Sequence, residues 1–407
     1  MIKIAVIVPE GFFTAPENFG GGIIRAYKIY VEQLNMTPLF EIRFYSYNPI
    51  NKALYLISVI KNLMKINKYK PDVVVSPCEV DISMLIAIVL GVIARKPIVI
   101  VFNAIPLIGQ VSGGFSSNEK VAFRYMMESC RHSAQNDLKN VFLCNIKTVI
   151  RFLLECTLMH IAKFLKRQIM AIAITPYLGR ELRKRKLNVV DMYPGNGIDM
   201  LQEVANSAKI YDACYIANPV HVEKGFLDAL YIWYLVTKKN PRAKLLVAGR
   251  ITRDYQEEKL QNYMQRLSLS ENIVLRVSYE GLPHSETLNL MSQCKIFLYP
   301  TRKDVWPLVV GEALSRGLPV VTYMLPNIEY AYGWCPAVKL IRVGSIQEAA
   351  EEVLKLLQND MQLISASNTA LECAKKMTWK KAALLEAKAI LKALKQHYSK
   401  IIEGNHV

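Results

Sequence analysis

The stretch Tyr299-Pro300-Thr301-Arg302-Lys303-Asp304-Val305-Trp306-Pro307-Leu308-Val309-Val310-Gly311-Glu312-Ala313-Leu314-Ser315-Arg316-Gly317-Leu318-Pro319-Val320-Val321 reads as the end of one strand, a loop, a short helix and the start of the next strand. The first strand ends at Tyr299, the loop holds Asp304, and the helix starts near Leu308. Glu312 falls within about one turn of that start. Both acids can therefore point toward the carboxyl end of a sheet. A carboxylate near a helix start can also accept backbone N–H bonds, and a first-turn glutamate gains from the helix dipole. Neither effect alone accounts for two acids framing one loop.

On both sides of this segment the same alternation continues. The second half has strand patterns at 213–217, 244–248, 273–276, 296–299, 319–323 and 338–341. Helical patterns lie at 226–237, 255–267, 285–292, 309–316, 345–357 and 379–397. The first half has strands at 2–8, 41–47, 72–76, 97–102 and 170–175, with helices at 23–34, 54–66, 83–94 and 177–187. Continuous apolar strands separated by helices imply parallel sheets with right-handed crossovers. The junction lies near 195–205, around Gly195-Asn196-Gly197-Ile198-Asp199. The expected domains are 1–200, 201–378 and a C-terminal helix and tail at 379–407. Two regions break the rhythm. Residues 109–118 are polar and glycine-rich, which predicts a mobile loop. Residues 143–166 carry apolar side chains at helical spacing with a basic edge. That pattern fits either an interfacial amphipathic helix or a long core helix.

Composition bounds the function. The 407 residues are 52% hydrophobic, enough for two or three packed domains and too apolar for a disordered chain. The uncharged apolar run at 82–94 is too short to cross a bilayer, and the start of the chain lacks a signal-peptide layout. The formal charge is +17. Basic residues are densest at 139–186, where only Glu155 and Glu181 oppose them. Such a surface attracts phosphates on nucleic acid, lipid headgroups or substrates. The eight cysteines are scattered without a CxxC pair. This disfavours zinc and a disulfide scaffold, and fits a reducing cytoplasm.

Other candidate residues lie at strand ends. Gly20-Gly21-Gly22, between the first strand and first helix, lets backbone approach a ligand, although it lacks the dinucleotide fingerprint. An NAD-dependent enzyme is disfavoured for that reason. Lys224, in His221-Val222-Glu223-Lys224-Gly225, can neutralise a diphosphate, and Gly225 can open the next helix. Gly249-Arg250 ends another strand, and Arg302 offers a further cation.

The segment 299–321 resembles the retaining GT-B glycosyltransferases of family 4 (glycosyl transferases group 1). That family carries Glu, seven residues, then Glu, followed by Ala-x-x-x-Gly-x-Pro-Val. Here Asp304 and Glu312 have that separation, followed by Ala313, Gly317, Pro319 and Val320. Pro71-Asp72-Val73-Val74, Gly20 to Gly22, Asn196-Gly197-Ile198-Asp199, Glu223-Lys224-Gly225 and Leu246-Val247-Ala248-Gly249 match further family segments. The resemblance implies two Rossmann-like domains facing a cleft, with the C-terminal helix packing back on the first. It implies an acceptor-side first domain and a nucleotide-sugar donor domain. Lys224 would contact the donor diphosphate, Glu312 the ribose hydroxyls, and Asp304 the donor sugar hydroxyls. Gly225, Gly249, Arg250, Arg302, Val305, Trp306, Pro307 and Leu308 would line the donor site. Gly20, Gly21, Gly22 and Asn103 would serve the acceptor or its phosphate. The sequence departs from the family where Asp304 replaces the first glutamate, Pro219 replaces an arginine, and Asn103 stands near a first-domain histidine.

The resulting expectation is metal-independent, retaining transfer of a hexose from a nucleotide sugar to a sugar or lipid-linked glycan. No cofactor and no nucleic acid are expected. An anionic membrane surface is a candidate partner, with a cytoplasmic location, peripheral on the membrane face. The departures at Asp304 and Pro219 motivate the alternative of a non-catalytic GT-B binding or scaffold protein. The charge motivates a nucleic-acid-binding protein, although no recognised binding pattern supports it.

Overall fold

The structure, a computed structural model, describes residues 1–14, 21–47, 60–62, 64–66, 68–77, 81–103, 109–111, 114–116, 146, 149, 153, 157–158, 160–161, 164–165, 168–192, 195–200, 208–252, 257–304 and 306–404. The chain forms two compact units. One comprises Met1–Gly109, Ser117–Gly197 and Trp379–Val407; the other comprises Gln110–Ser116 and Ile198–Thr378.

The first unit is built on β1 (Ile2–Pro9), β2 (Phe40–Tyr47), β3 (Val73–Ser76) and β4 (Ile98–Phe102). Two short strands, β5 (Gly109–Val111) and β6 (Gly114–Ser116), pair with each other where the sequence predicts a loop. β7 (Ile169–Ala173) and β8 (Val189–Asp191) complete the main sheet, in the order β2-β1-β3-β4-β7-β8. Its pairings are parallel. β3, β4 and β7 are buried along their whole length, as their continuous apolar sequences require of parallel strands covered on both faces. Helix α1 (Gly21–Ala26) continues into π-helical turns over Tyr27–Leu34. α2 (Asp81–Ile93) and α3 (Pro176–Lys184) follow. α3 starts where both signals agree, with Thr175 accepting from the Leu178 N–H at 3.1 Å and Pro176 in the first turn.

The second unit has β9 (Tyr211–Ala217), β10 (Leu245–Arg250), β11 (Ile273–Ser278), β12 (Cys294–Tyr299), β13 (Val320–Tyr323) and β14 (Val338–Ile341). Their order is β11-β10-β9-β12-β13-β14, again parallel. The helices are α4 (Phe226–Lys239), α5 (Glu257–Arg266), α6 (His284–Ser292), α7 (Leu308–Ser315), α8 (Pro326–Tyr332), α9 (Ile346–Leu357) and α10 (Asp360–Ala374). The last helix, α11 (Trp379–Gly404), belongs to the first unit.

Besides β5 and β6, three described elements escape the sequence reading. β8 is a three-residue strand at a sheet edge. α8 has only seven residues. α10 buries only Ala370, Cys373 and Ala374, so its apolar stripe is faint, and its start rests on Asn359 accepting from Gln362 N–H at 3.0 Å. Cys373 is also disulfide-bonded to Cys335, a pairing that the scattered cysteine pattern does not announce. In the basic stretch 143–166, positions 146, 149, 153, 157, 158, 160, 161 and 164 are helical. Leu158 is buried, whereas Ile146, Val149, Leu153 and Phe164 are exposed. No described helix is long and apolar enough to cross a membrane.

One buried charge cluster joins distant parts of the first unit. Arg25 and Glu386 form an ion pair with both side chains fully buried. Tyr30 donates its hydroxyl to the other oxygen of Glu386, and Arg25 Nε donates to the Gly195 carbonyl at 2.8 Å. Burial, and then the charge of Glu386, push the Tyr30 hydroxyl well above its ordinary pKa, so it stays a donor. Removing one partner of a buried pair leaves an uncompensated charge, at a cost of about 3–5 kcal/mol. Glu386→Ala is therefore expected to destabilise the first unit by about that amount, and Tyr30→Phe by about 1 kcal/mol. Denaturant unfolding followed by hydrogen exchange of the β1 and β4 amides checks this; equal, sub-kilocalorie effects would contradict it.

Candidate active site

The chain leaves β9 toward β10 on one side and later returns to β12 on the other. In an open parallel sheet, such a reversal opens a crevice at the carboxyl ends of the strands, where ligands bind. The segments after β9, β10 and β12 carry the candidate residues.

After β9, a short 3₁₀ turn spans Val222–Lys224, capped by His221 Nδ1, which accepts from Glu223 N–H at 3.3 Å. Gly225 follows with φ +79°, and a Cβ there would stand 1.8 Å from the Pro300 carbonyl oxygen. Only glycine allows the turn to lie this close to the loop after β12. That approach brings Lys224 Nζ to Asp304 Oδ2 at 2.6 Å and to the Lys303 carbonyl at 3.3 Å. Tyr299 donates its hydroxyl to the same Asp304 oxygen at 2.9 Å. Burial first, and the Asp304 charge second, raise the Tyr299 pKa well above its ordinary value, so the hydroxyl keeps its proton. Glu223 and Lys303 add a pair at 3.4 Å. Arg302 N–H donates to the Glu223 carbonyl at 3.0 Å, fastening the two loops together.

Glu312 lies in the second turn of α7 and is reached by His284, the first residue of α6, with Nε2 2.9 Å from Oε1. Tyr332 lies within the influence of both acids. It is fully buried, donates to the Pro307 carbonyl at 2.8 Å, and stacks edge-on against Trp306. Its pKa is raised first by burial, then by the charges of Asp304 and Glu312. The two acids framing the loop thus share one neighbourhood. Arg316, one helical turn after Glu312, is nearly buried. Burial lowers its pKa, while the charges of Glu312 and Asp199 oppose that shift.

The remaining candidates divide. Arg250 ends β10 and donates Nε–H to Asn218 Oδ1 at 2.9 Å. Gly249, at φ +133°, packs against the Ala217 carbonyl, 1.9 Å from where a Cβ would sit. Arg302 is held by Asp228 on α4 at 2.7 Å, and that hydrogen bond raises its pKa. Leu308 opens α7, and Trp306 and Pro307 are buried beside it. Val305 and Gly20 lie outside the described residues. Gly21 and Gly22 open α1 in the first unit. Asn103, at the end of β4, donates Nδ2–H to the Pro77 carbonyl at 3.5 Å. The sequence assigns Tyr299 and Glu223 no role, and His284, near a candidate site loop, reads there as a loop or helix-cap histidine rather than a base. Tyr299 and Glu223 adjoin motif residues, but nothing in the sequence links His284 to Glu312, 28 positions away. Among the described residues, no group of three or more His, Cys, Asp or Glu side chains is placed to hold a metal ion.

Comparison with known proteins agrees with this architecture. Residues 206–376 match the family Glycosyl transferases group 1. A curated relative, GDP-mannose:cellobiosyl-diphosphopolyprenol alpha-mannosyltransferase of Xanthomonas oryzae pv. oryzae, is 26% identical over 162 residues. That match covers 39% of this chain and 41% of the relative, so the chain spans about two fifths of the relative's length. Among solved structures, sucrose-phosphate synthase from Thermosynechococcus elongatus superposes with a TM-score of 0.68 at 13% identity, covering 96% of this chain and 99% of that one. Anabaena HepE in complex with UDP and glucose gives 0.65 at 14% identity, covering 96% and 100%. At these identities the structural likeness establishes the fold. Residues 206–376 therefore carry a Glycosyl transferases group 1 domain, and the chain has the GT-B glycosyltransferase fold.

Proposed function

We propose that the chain is a retaining glycosyltransferase that moves a hexose from a nucleotide-activated sugar to a sugar or lipid-linked glycan, without a metal. The observation that carries this reading is the Lys224–Asp304 pair at 2.6 Å, set at the strand ends, with Asp304 in the loop that leads into the helix carrying Glu312. The Anabaena neighbour was solved with UDP and glucose, and the Xanthomonas relative is named for a GDP-mannose donor. Both support a nucleotide-sugar donor.

In this reading Lys224 meets the donor diphosphate. The bond between the anomeric carbon and the phosphate oxygen breaks, and its electron pair leaves with the nucleoside diphosphate. Lys224, with Arg250 at the neighbouring strand end, stabilises that developing charge. Asp304, drawn to Lys224 in the resting site, lies beside the sugar hydroxyls, and Glu312 takes the ribose. The acceptor hydroxyl attacks the face from which the diphosphate departs, and its proton passes to a departing phosphate oxygen. The second unit serves the donor and the first the acceptor. We further place the enzyme in the cytoplasm, peripheral on an anionic membrane face. The basic surface supports this, as do Ile60, Met64, Leu153 and Phe164, which the first unit exposes. In that reducing compartment Cys335 and Cys373 would stand as thiols.

Purified protein is expected to release nucleoside diphosphate from one member of a nucleotide-sugar panel when membrane extract supplies an acceptor. Nucleotide binding without transfer, even with extract, would instead favour a non-catalytic GT-B protein. Lys224→Ala is expected to lower kcat/KM by about 10²- to 10³-fold while leaving the fold intact. Undiminished turnover in that variant would remove Lys224 from the mechanism. Gly225→Ala places a side chain at positive φ against the Pro300 carbonyl. It is expected to reduce stability by about 1–3 kcal/mol, read from the denaturation midpoint, and to reduce transfer with it.

A further inference from the structure

Glu312 is a flexible three-torsion side chain, yet it has a defined place. Its Oε1 lies 2.9 Å from His284 Nε2, and its Oε2 accepts no hydrogen bond from the described residues. A carboxylate only accepts, so His284 must carry its proton on Nε2 and donate. His284 begins α6 directly after Pro283, so its backbone is fixed at the helix start while its side chain is 49% exposed. The acceptor is anchored too: Glu312 lies on α7, where Ser315 donates to the Glu312 carbonyl at 2.8 Å and Arg316 Nη1 donates to Ser315 Oγ at 2.9 Å. Two helices therefore meet through one charge-assisted bond. The bond engages one carboxylate oxygen and leaves the second outside it, on a side chain that is 18% exposed.

We infer that His284 is a positioning residue for nucleotide recognition: by holding Oε1 of Glu312, it presents the other carboxylate oxygen to the vicinal hydroxyls of the donor ribose. This inference rests on the reading of the second unit as the nucleotide-sugar site. Ordering a glutamate before the ligand arrives removes rotamer entropy from the binding step. The vicinal hydroxyls are donors that a fixed carboxylate can accept. His284 touches neither sugar nor phosphate in this scheme. Its loss therefore acts on nucleotide affinity and not on the breaking of the sugar–phosphate bond.

The test is calorimetric binding of UDP and GDP, and of their 2′,3′-dideoxy counterparts, to the full chain and to His284→Ala and His284→Gln. Thermal unfolding of each variant confirms that it is folded. For the ribonucleotide the unaltered protein prefers, His284→Ala is expected to weaken binding about tenfold. It should leave the dideoxy counterpart within about twofold. His284→Gln, whose amide can still donate to Oε1, is expected to recover most of the loss. In turnover, KM for the nucleotide sugar rises while kcat holds. An equal loss for ribo and dideoxy ligands would make His284 merely structural and overturn the inference, as would no loss for either. Failure of the unaltered protein to bind any of these nucleotides would overturn the donor-site reading itself, and this inference with it.

Discussion

A guanidinium with no access to water holds the first unit together. Arg25 reaches the Glu386 carboxylate and the Gly195 carbonyl from within α1, so three remote parts of the chain converge on one side chain. A buried pair of this kind adds little net stability over a well-packed apolar substitute, but it tolerates no missing partner. Its main effect is specificity of arrangement: α11 can dock in the register that puts Glu386 between Arg25 and Tyr30. The discontinuous first unit is the topological result, with the second unit inserted between residue 197 and α11.

The second unit uses charge differently. Its paired groups are partly exposed, and each pair joins segments that leave different strands or helices. Lys224 with Asp304 and Lys303 with Glu223 tie the loop after β9 to the loop after β12. Arg302 with Asp228 ties the latter loop to α4. A diphosphate entering beside Lys224 would compete with Asp304 for the ammonium group. The pair is part-buried, with Lys224 26% and Asp304 13% exposed, so an entering anion can reach the ammonium group from the solvent side. The resting site is thus electrostatically satisfied without being locked.

Much of this was legible in the sequence, for identifiable reasons. Fully buried parallel strands such as β4 and β7 leave continuous apolar runs, and the strand ends after Tyr299 and Ala217 are marked by Pro300 and Pro219. The same pattern flagged Lys224, Asp304 and Glu312. What stayed hidden was either too short to show a period, as β8 and α8 were, or only weakly amphipathic, as α10 was. Long-range pairings were also hidden. A histidine at a helix start looks the same whether or not its ring meets a carboxylate 28 residues on. Arg302 offers the opposite lesson: residue type and loop position suggested a free phosphate ligand, yet its guanidinium is held by Asp228.

The insertion of one unit within the other has a consequence for biosynthesis. Synthesis runs from the amino end, so Arg25 emerges from the ribosome 361 residues before Glu386. The second unit, contiguous over Ile198–Thr378 apart from the short Gln110–Ser116 segment, can close while the first still lacks its last helix. Through that interval Arg25 lacks the Glu386 carboxylate that it meets in the folded unit. The first unit is therefore begun before the second and completed after it.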